Sequence, residues 1–408
     1  MPVSAPWGRQ EAFIVRELAA LLEAGTALRI LPLRPGGELY HGRAAGLATC
    51  AEAKGLFHPA TWLALATWLM RRPGKLAEIL RTILTESRSP RIVLKNLAVL
   101  PKACWIASRT RAFGGTHVHA QWAGTTTTAA WIAATLLDLP FSFSAHRWDI
   151  GEDNMLALKT RRAAFARTSD GAGARELAER AGPDAPAPWL LHLGVDLPAC
   201  LPDRPMPPAS RLRVLVPANM VPKKGHAVLL EALTHPALAE VDWHVTCAGD
   251  GPLLPEVTRA VESRGLSGRV KLVGMWPLER LHAALAGSDF DAVVLPSIET
   301  PDGETEGTPV SLVEALAHGL PVIASAIGGI PELLEGGCGV LVPHSQPEAL
   351  ALAMAGLARD PAGARELALR GHQRVQADYE VGSVARALLA RVAGPDGCDT
   401  LAVATTDG

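Results

Sequence analysis

Short apolar segments alternate with amphipathic segments through the second half of the chain. The apolar segments are rich in Val, Ile and Leu, as buried strands are, and the segments between them place apolar residues at helical spacing. This alternation predicts βαβ units, and therefore a parallel sheet with helices on both faces. The predicted strands are 212–217, 243–248, 270–274, 292–296, 320–324 and 339–342, and the predicted helices are 226–234, 252–264, 277–286, 310–318, 330–335 and 346–358.

The first half of the chain also predicts an α/β structure. Its apolar pattern indicates a helix over 11–24 that ends at Gly25, followed by three strands and further helices. Because 408 residues exceed what one core usually supports, we expect one domain over 1–205 and a second over 206–375. A C-terminal helix and tail, 376–408, is expected to return to the first domain. The predicted strands are 28–33, 116–120 and 140–145, and helical segments are expected to fill much of 60–112 and 125–137.

The composition is that of a globular protein, with 48% apolar residues, 20% charged residues and a net charge of −2. No apolar run approaches the roughly 18 residues that a membrane-spanning helix needs. The N-terminus lacks the charged start and apolar core of a secretory signal. The six cysteines are scattered without a CxxC pair, which favours reduced thiols in a cytoplasmic protein over disulfides or metal ligands.

Two glutamates separated by seven residues, Glu306 and Glu314, stand between the predicted strands 292–296 and 320–324. The first falls in a strand-to-helix loop and the second in the following helix, whose first turn suits Pro309. Both carboxylates can therefore face one elongated ligand over a helix N-terminus, where free N–H groups and a partial positive charge favour a diphosphate. A sugar nucleotide, with hydroxyls at each end and a diphosphate between them, has this shape.

Each of the first five strands predicted in the second half is followed by a loop with unusual residues. Parallel sheets bind ligands at the C-terminal ends of their strands, so these loops are expected to share one rim. The loops are Lys223-Lys224-Gly225, Gly249-Asp250-Gly251-Pro252, Gly274-Met275-Trp276, residues 299–309 and Gly328-Gly329-Ile330-Pro331-Glu332.

Other nucleotide and metal motifs are incomplete or missing. Leu254 stands where a dinucleotide fingerprint that starts at Gly249 needs its third glycine, and no GxxxxGK[ST] sequence occurs. Asp289 and Asp291 resemble a metal-binding DxD motif. They lie at the start of a predicted strand, opposite the ligand rim, and are interpreted as structural residues.

Together these segments resemble the retaining nucleotide-sugar glycosyltransferases of family 4. The resemblance implies the GT-B fold: two Rossmann-like, doubly wound parallel-sheet α/β domains facing a central cleft, the first binding the acceptor and the second the donor. In the second half it covers residues 212–343, in the family's order. The segments that carry it are Val221-Pro-Lys-Lys-Gly-His226, Gly249-Asp-Gly-Pro252, Leu295-Pro-Ser297, Glu306 to Glu314 and Gly328-Gly-Ile-Pro-Glu332.

The first half resembles the branch of this family that builds bacterial exopolysaccharides and polymers similar to colanic acid. Three segments carry this likeness: residues 13–17, residues 31–34, and Phe141-Ser-Phe-Ser-Ala-His146-Arg-Trp-Asp149. The branch implies a role in cell-surface polysaccharide biosynthesis.

The resemblance also implies roles for individual residues. The expected catalytic residues are Glu306 near the donor sugar, Lys224 against the diphosphate, and His146 closing over the sugar from the first domain. Lys224 would stabilise the charge that develops on the leaving group, and Glu314 would accept hydrogen bonds from the two ribose hydroxyls. No metal or cofactor is implied besides the nucleotide-sugar co-substrate. Further donor-site residues are Asn219, Lys223, Gly251, Gly274, Met275, Trp276, Gly307, Thr308, Pro309 and Gly8.

The chain departs from the family pattern at three places. Asn219 stands where many members carry an Arg, so one cationic contact to the diphosphate is expected to be missing unless Lys223 or the Asn219 amide replaces it. Gln121 stands where a His is common. The family's first strand should precede the loop at 4–10, and only residues 1–3 remain for it.

The acceptor is expected to be a glycan or a lipid-linked saccharide. Ten Lys or Arg residues lie between Arg71 and Arg111, opposed only by Glu78 and Glu86, and Trp62 and Trp68 precede them. This pattern is typical of contact with a phosphorylated acceptor or an anionic membrane, here the inner face of the plasma membrane. A core-packed helix with a solvated basic face is the alternative. No nucleic-acid motif accompanies the charge.

The function expected from the resemblance is transfer of a hexose from a UDP- or GDP-sugar with retention of configuration. The mechanism it implies is front-face attack through an oxocarbenium-like state. Three alternatives remain open: a sugar-nucleotide-binding protein with weak or no transferase activity, a GT-B sugar-nucleotide epimerase, and a synthase of the starch or glycogen type.

Overall fold

The computed structural model describes residues 1–5, 12–36, 44–202, 204 and 207–394, and they form two compact units. The first unit combines residues 1–194 with the segment from Val381 onward, and the second comprises 195–380. The assignment of these units to acceptor and donor binding stays a prediction.

The first unit contains short parallel strands separated by helices. Three long helices fill the region 60–112, where helical segments were predicted, and each begins at a proline, which is pre-organised for the first helical turn. In chain order its elements are β1 (Ser4–Ala5), α1 (Ala12–Glu23), β2 (Arg34–Pro35), α2 (Ala44–Leu47), α3 (Pro59–Arg71), α4 (Pro73–Glu86), α5 (Pro90–Phe113), β3 (Val118–Ala120), α6 (Thr125–Leu137), β4 (Phe141–Ala145), α7 (Arg147–Glu152), α8 (Leu156–Arg162), β5 (Phe165–Thr168), α9 (Gly171–Ala181) and β6 (Trp189–Leu190).

The first residues of the chain fill the strand position that the sequence left in question. β1 pairs in parallel with β2, and the Arg34 amide donates to the Val3 carbonyl over 3.1 Å. On the other side, the Met1 ammonium donates to the His119 carbonyl over 2.5 Å, and the Gln121 amide donates to the Met1 carbonyl over 3.1 Å. Residues 1–5 therefore connect the β1–β2 pair to the parallel sheet β3-β4-β5-β6.

The strand predicted over 28–33 is wrong in its position. Within that span the structure has one isolated bridge, between Ile30 and Ala51, and the strand β2 begins only at Arg34. The Ile30 amide donates to the Cys50 carbonyl, and the Ile30 carbonyl accepts a hydrogen bond from the Glu52 amide. The strand that pairs with the N-terminal segment therefore starts later along the chain. The predicted strands 116–120 and 140–145 correspond to β3 and β4.

The second unit confirms all six predicted strands and all six predicted helices, with small shifts at their ends. Its elements are β7 (Arg211–Val216), α10 (His226–Ala232), β8 (Asp242–Cys247), α11 (Leu254–Ser263), β9 (Val270–Leu272), α12 (Leu278–Ala286), β10 (Ala292–Leu295), α13 (Val310–Ala317), β11 (Val322–Ser325), α14 (Ile330–Leu333), β12 (Val340–Val342), α15 (Pro347–Arg359) and α16 (Pro361–Asp378).

The sheet of the second unit is parallel and doubly wound, with the strand order β12-β11-β10-β7-β8-β9. Strands β8 and β9 follow one after the other on one side of β7. The next three strands, β10, β11 and β12, follow in turn on its other side. The strand order thus reverses between β7 and β10. In open α/β sheets this reversal leaves a crevice beyond the C-terminal strand ends, where ligands bind.

The last described helix, α17 (Val381–Ala393), belongs to the first unit. Its residues Val381, Ala385 and Leu388 are buried in one apolar cluster with Ile14 and Leu21 of α1. In the part of the chain that the structure describes, every helix is too short or too polar to cross a bilayer.

Candidate functional site

The loop after β7 carries Lys224 to the crevice. It forms a single 3-10 turn over Pro222–Lys224 and then passes through Gly225, whose φ is +68°. A Cβ atom at Gly225 would lie 1.9 Å from the Pro296 carbonyl oxygen, so only glycine allows this loop to pack on the loop after β10. The Ile298 amide donates to the Lys223 carbonyl over 2.9 Å and joins the same two loops.

Lys224 and Glu306 form an ion pair at the strand reversal. The Lys224 ammonium lies 2.8 Å from Oε1 of Glu306, and the Ser297 hydroxyl donates to the same oxygen over 3.3 Å. The Glu306 side chain is 7% exposed and that of Lys224 is 16% exposed. Because the pair is largely withdrawn from water, its field acts on a ligand with less screening than at an open surface.

The loop after β11 supports Glu306 from a third side. Gly328 has a φ of +60°, and a Cβ atom there would lie 1.9 Å from the Glu306 carbonyl oxygen. The Gly329 amide donates to the Gly307 carbonyl over 3.3 Å. Both glycines therefore allow the loop after β11 to pack against the backbone of the glutamate loop.

The helix α13 starts directly after the Glu306 loop, with Pro309 as its N-cap residue. The hydroxyl of Thr308 is buried and has no hydrogen-bond partner among the described residues. A buried hydroxyl without a partner is costly, so Thr308 is available to a ligand at this helix N-terminus. Glu314, on the same helix, is 4% exposed.

The other predicted donor residues are spread over the rim loops. Asn219 is exposed. A Cβ atom at Gly251 would lie 2.5 Å from the Met220 carbonyl oxygen, which explains this glycine by backbone packing.

The Trp276 indole packs against Phe290 at 6.3 Å, beneath the Arg280 guanidinium. Gly274 and Met275, which precede Trp276 in the loop after β9, are partly exposed. Gly8 lies outside the described residues.

His146, the expected catalytic histidine, belongs to the first unit. Its ring lies between Phe13 at 5.2 Å and Trp122 at 4.7 Å, and burial lowers its pKa to about 4. Its backbone amide donates to the Asp149 carboxylate over 2.6 Å. Nε2 of His146 is buried and has no hydrogen-bond partner within the described ranges. The imidazole ring is therefore neutral at pH 7.

A buried ionic cluster in the first unit was missed from the sequence. Arg167 on β5 forms an ion pair with Glu17 of α1, and their side chains are 1% and 5% exposed. Gln121, which replaces the family's histidine, donates to Glu17 over 2.9 Å. The cluster explains why an amide is accommodated at position 121: it satisfies a buried carboxylate. No sequence signal joins residues so far apart in the chain.

One residue of the acidic DxD-like pair, Asp291, forms an ion pair with Arg213, and the structural interpretation of the pair stays a prediction. Asp291 accepts hydrogen bonds from the Arg213 guanidinium over 2.8 and 3.0 Å, at the start of β10.

Ser297 and His282 are the residues near the glutamates that sequence reasoning did not assign. Ser297 closes the Leu295-Pro-Ser297 segment and so carried a signal, whereas His282 occupies an ordinary helical position.

The ten basic residues between Arg71 and Arg111 do not form one cationic surface. Lys102 is fully buried and donates to the Lys54 carbonyl. Five others pair with carboxylates that lie outside the stretch: Arg72 and Lys75 with Asp138, Arg88 with Asp153, Lys95 with Glu152 and Arg109 with Glu52.

The two tryptophans of α3 have different environments. Trp68 is 3% exposed and donates to Ser108, whereas Trp62 is 50% exposed. Leu63, Leu69 and Met70 share the outer face of the helix with Trp62 and are 56–79% exposed. A surface helix normally presents polar residues to solvent, so this apolar face is unusual. We call Trp62, Leu63, Leu69 and Met70 the α3 face.

Comparison with known proteins finds a family model that matches most of the second unit. Residues 211–360 match the model of the family "Glycosyl transferases group 1". The putative colanic acid biosynthesis glycosyltransferase WcaL of Salmonella typhimurium is 32% identical over 201 residues, 49% of each chain. The amylovoran biosynthesis glycosyltransferase AmsK of Erwinia amylovora is 35% identical over 169 residues, 41% of each chain. The chain thus spans about half the length of the curated relatives it matches.

Solved structures extend the fold comparison to both units. HepE of Anabaena, crystallised in complex with UDP, superposes with a TM-score of 0.66 at 16% identity, covering 95% of this chain and 98% of HepE. At this identity the likeness shows the fold alone. The chain therefore has the GT-B fold and carries a glycosyl transferases group 1 domain at residues 211–360.

Proposed function

We propose that this protein transfers a hexose from a nucleoside diphosphate sugar to a glycan or lipid-linked saccharide in cell-surface polysaccharide biosynthesis. The observation that carries the proposal is the Lys224–Glu306 ion pair at the strand reversal, followed by a helix that bears Glu314. The colanic acid and amylovoran glycosyltransferases among its relatives support the polysaccharide assignment.

The proposed donor binds with its diphosphate at Lys224 and the N-terminus of α13. The lysine charge, the helix dipole and the Thr308 hydroxyl all favour an anion there. Glu306 then accepts hydroxyls of the hexose, and Glu314 those of the ribose. As the bond between the sugar and the diphosphate breaks, negative charge grows on the leaving phosphate and Lys224 stabilises it. The UDP complex of HepE supports a UDP-sugar, and a GDP-sugar is the second donor class.

Retention of configuration is part of the proposal and rests on the resemblance to family 4. The acceptor hydroxyl attacks from the face that the diphosphate leaves, through an oxocarbenium-like state, and the leaving phosphate takes the hydroxyl proton. The donor loses one glycosidic bond to phosphate and the acceptor gains one to the sugar.

We also propose that the α3 face docks on an anionic membrane at the inner side of the plasma membrane, where a lipid-linked acceptor would be found. Its four apolar side chains would enter the interface. Arg71 at the end of α3 is exposed, and it adds positive charge that attracts an anionic lipid surface.

Donor turnover tests the proposed activity. The chain is incubated with UDP-glucose, UDP-galactose or GDP-mannose, with and without octyl glucoside as acceptor, and release of nucleoside diphosphate is measured. We expect release that rises with acceptor and is lost in Glu306→Gln. Glu304→Gln, an exposed carboxylate in the same loop, is the matched control and should keep the activity.

The other outcomes separate the alternatives. Equal donor consumption without acceptor would indicate an epimerase or a hydrolase. Nucleotide binding without any turnover of the three donors would favour a binding protein, a possibility that the exposed Asn219 in place of a family arginine keeps open.

A further inference from the structure

Strands β7, β8 and β9 of the second unit share one polar face. On β8, buried residues alternate with Asp242 and His244, whose side chains are 63% and 50% exposed. This face and helix α12 form a groove of about 700 Å³, which is within the range of binding sites for small ligands. We call it the basic groove, because five cationic side chains and one histidine line it: Arg211, Arg213, His244, Arg269, Lys271 and Arg280.

The basic groove lies in a unit that is otherwise acidic. Residues 195–380 contain 14 Lys or Arg and 23 Asp or Glu, a net charge of −9. Five of these 14 cations line the groove, and the carboxylates in its lining are those of Asp242 and Asp289. A concave site lined mainly by one sign of charge focuses the electric field. The groove therefore attracts anions, although the unit as a whole repels them.

Three of the five cations pair with no carboxylate among the described residues. Arg213 forms an ion pair with Asp291 over 2.8 Å, and Arg269 lies 3.9 Å from Asp242. Nε of Arg211 is buried and has no hydrogen-bond partner in the described part of the chain, which is costly until a ligand accepts from it. The three unpaired cations are Arg211, Lys271 and Arg280.

The unpaired cations are spread along the groove. Lys271 on β9 is in register with Thr246 on β8, which is in register with Leu215 on β7. Arg211 precedes Leu215 by four residues. The backbones of Arg211 and Lys271 are therefore about 16 Å apart, since strands are spaced by about 4.8 Å and rise by about 3.3 Å per residue. This separation suits an extended ligand with several charges better than a single phosphate group.

The other side chains of the groove favour a glycan among extended anions. A nucleic acid needs exposed aromatic faces on which its bases stack, but Trp276 and Phe290 of the lining are only 9% and 8% exposed. A flat bilayer surface does not enter a groove between a sheet and a helix. The side chains of His244 and Thr246 can exchange hydrogen bonds with sugar hydroxyls, and guanidinium groups bind carboxylates through two parallel hydrogen bonds.

We propose that the basic groove binds an acidic glycan, a chain of sugar rings that carry carboxylates. The inference rests on the proposed function, because a transferase of polysaccharide biosynthesis acts on glycan chains. Trp276 belongs both to the lining of the groove and to the loop after β9, so a chain bound in the groove lies next to that rim loop. The groove thus gives the second unit a glycan site separate from Lys224 and Glu306.

The test measures binding of a defined acidic glycan to the whole protein. Tetragalacturonate, with one carboxylate on each ring, is titrated by calorimetry, and its neutral methyl ester is the matched ligand control. The groove variant is Arg211→Gln with Lys271→Gln. The control variant is Arg259→Gln with Arg264→Gln, which removes two exposed cations of the same unit outside the groove and changes the net charge equally.

We expect wild type to bind tetragalacturonate at least tenfold more tightly than the methyl ester, and less tightly at high salt. The groove variant should weaken this binding by about tenfold or more, since it loses two charged hydrogen-bond donors. The control variant should change it less than twofold. Urea unfolding and a parallel titration of UDP check that each variant is folded and that its nucleotide binding is unchanged.

The contrary results have separate meanings. Equal binding of the acid and its ester, no binding of either, or equal losses in both variants would overturn the glycan assignment. Tighter binding of pyrophosphate or of octauridylate than of tetragalacturonate would assign the groove to phosphate groups and overturn it as well. These titrations need no donor turnover, so loss of the proposed transferase activity and loss of the glycan site are distinguishable.

Discussion

The Lys224 ammonium lies 2.8 Å from the Glu306 carboxylate, although the two residues follow strands that are distant in the chain. Their strands, β7 and β10, are neighbours because the sheet reverses its building direction between them. Each charge compensates the other while the site holds no anion. A diphosphate that reaches Lys224 would release Glu306 to accept sugar hydroxyls.

The ion pair should be energetically coupled. Lys224→Met leaves a buried carboxylate unpaired and is expected to lower the free energy of unfolding by about 2–3 kcal/mol. This loss is at or below the smallest losses typical of breaking a buried ion pair, because Lys224 keeps some contact with water. The double variant Lys224→Met with Glu306→Gln removes both charges and should be more stable than Lys224→Met alone. Urea unfolding of the four proteins measures this. Strictly additive losses would show that the contact contributes no coupling.

Gly328 should be irreplaceable for a reason that its backbone angle alone does not explain. In Gly328→Ala the new Cβ atom would meet the Glu306 carbonyl oxygen at 1.9 Å, so the glutamate loop must move. Gly336 has a similar φ of +70° with nothing within 4 Å of a Cβ atom. Gly336→Ala should therefore cost only the left-handed penalty of about 1–2 kcal/mol. Thermal unfolding and nucleotide binding of both variants check the difference, and equal effects would refute the packing argument.

The second unit was predictable from sequence to a degree that the first was not. Its central strand Ala292–Leu295 is a continuous apolar run buried on both faces, and each of its first five strands is followed by a loop with glycine. The first unit has short strands, and the position of β2 depends on the hydrogen bond that the Arg34 amide donates to the Val3 carbonyl. Pairing between distant residues leaves no local pattern, so the strand there was placed too early.

His226 should make stability depend on pH. It is 3% exposed, neither ring nitrogen has a hydrogen-bond partner among the described residues, and burial lowers its pKa to about 4. Below pH 6.5 the unfolded chain binds a proton that the folded chain refuses, so stability falls as pH drops from about 6.5 to about 4. The loss from this residue approaches about 3 kcal/mol.

The variant His226→Phe isolates this contribution, because other groups titrate in the same range. As pH falls, the unfolding free energy of wild type should decrease more than that of His226→Phe. Wild type and His344→Asn, which replaces an exposed histidine of the same unit, should decrease by the same amount. Urea unfolding at pH 4.5, 5.5 and 7 gives the comparison. Parallel pH profiles of wild type and His226→Phe would contradict the assignment.

The α3 face should drive binding to anionic vesicles. Leu63→Ser with Met70→Ser removes two exposed apolar side chains at little cost in folding, and we expect about tenfold weaker co-sedimentation with phosphatidylglycerol vesicles. Leu369→Ser, an exposed leucine of the second unit, is the control. Equal binding of wild type to neutral and anionic vesicles, or unchanged binding of the double variant, would remove the proposal.

The candidate site shows the same division between local and distant information. The spacing from Glu306 to Glu314 and the lysine before Gly225 are visible in the sequence, because each lies within one loop or helix. Their partners Ser297 and His282 could not be ranked beforehand, since a contact between α12 and α13 depends on how two helices pack. The buried pair Arg167–Glu17 was hidden for the same reason.

The most direct test of the central claim is calorimetric titration of UDP and GDP into wild type, Glu314→Ala and Lys224→Met. The account predicts that at least one nucleoside diphosphate binds wild type, and that each variant weakens it by about tenfold or more, since each loses a contact that involves a charged group. Unchanged affinity in both variants, or no binding of either nucleotide to the folded wild-type protein, would contradict the account.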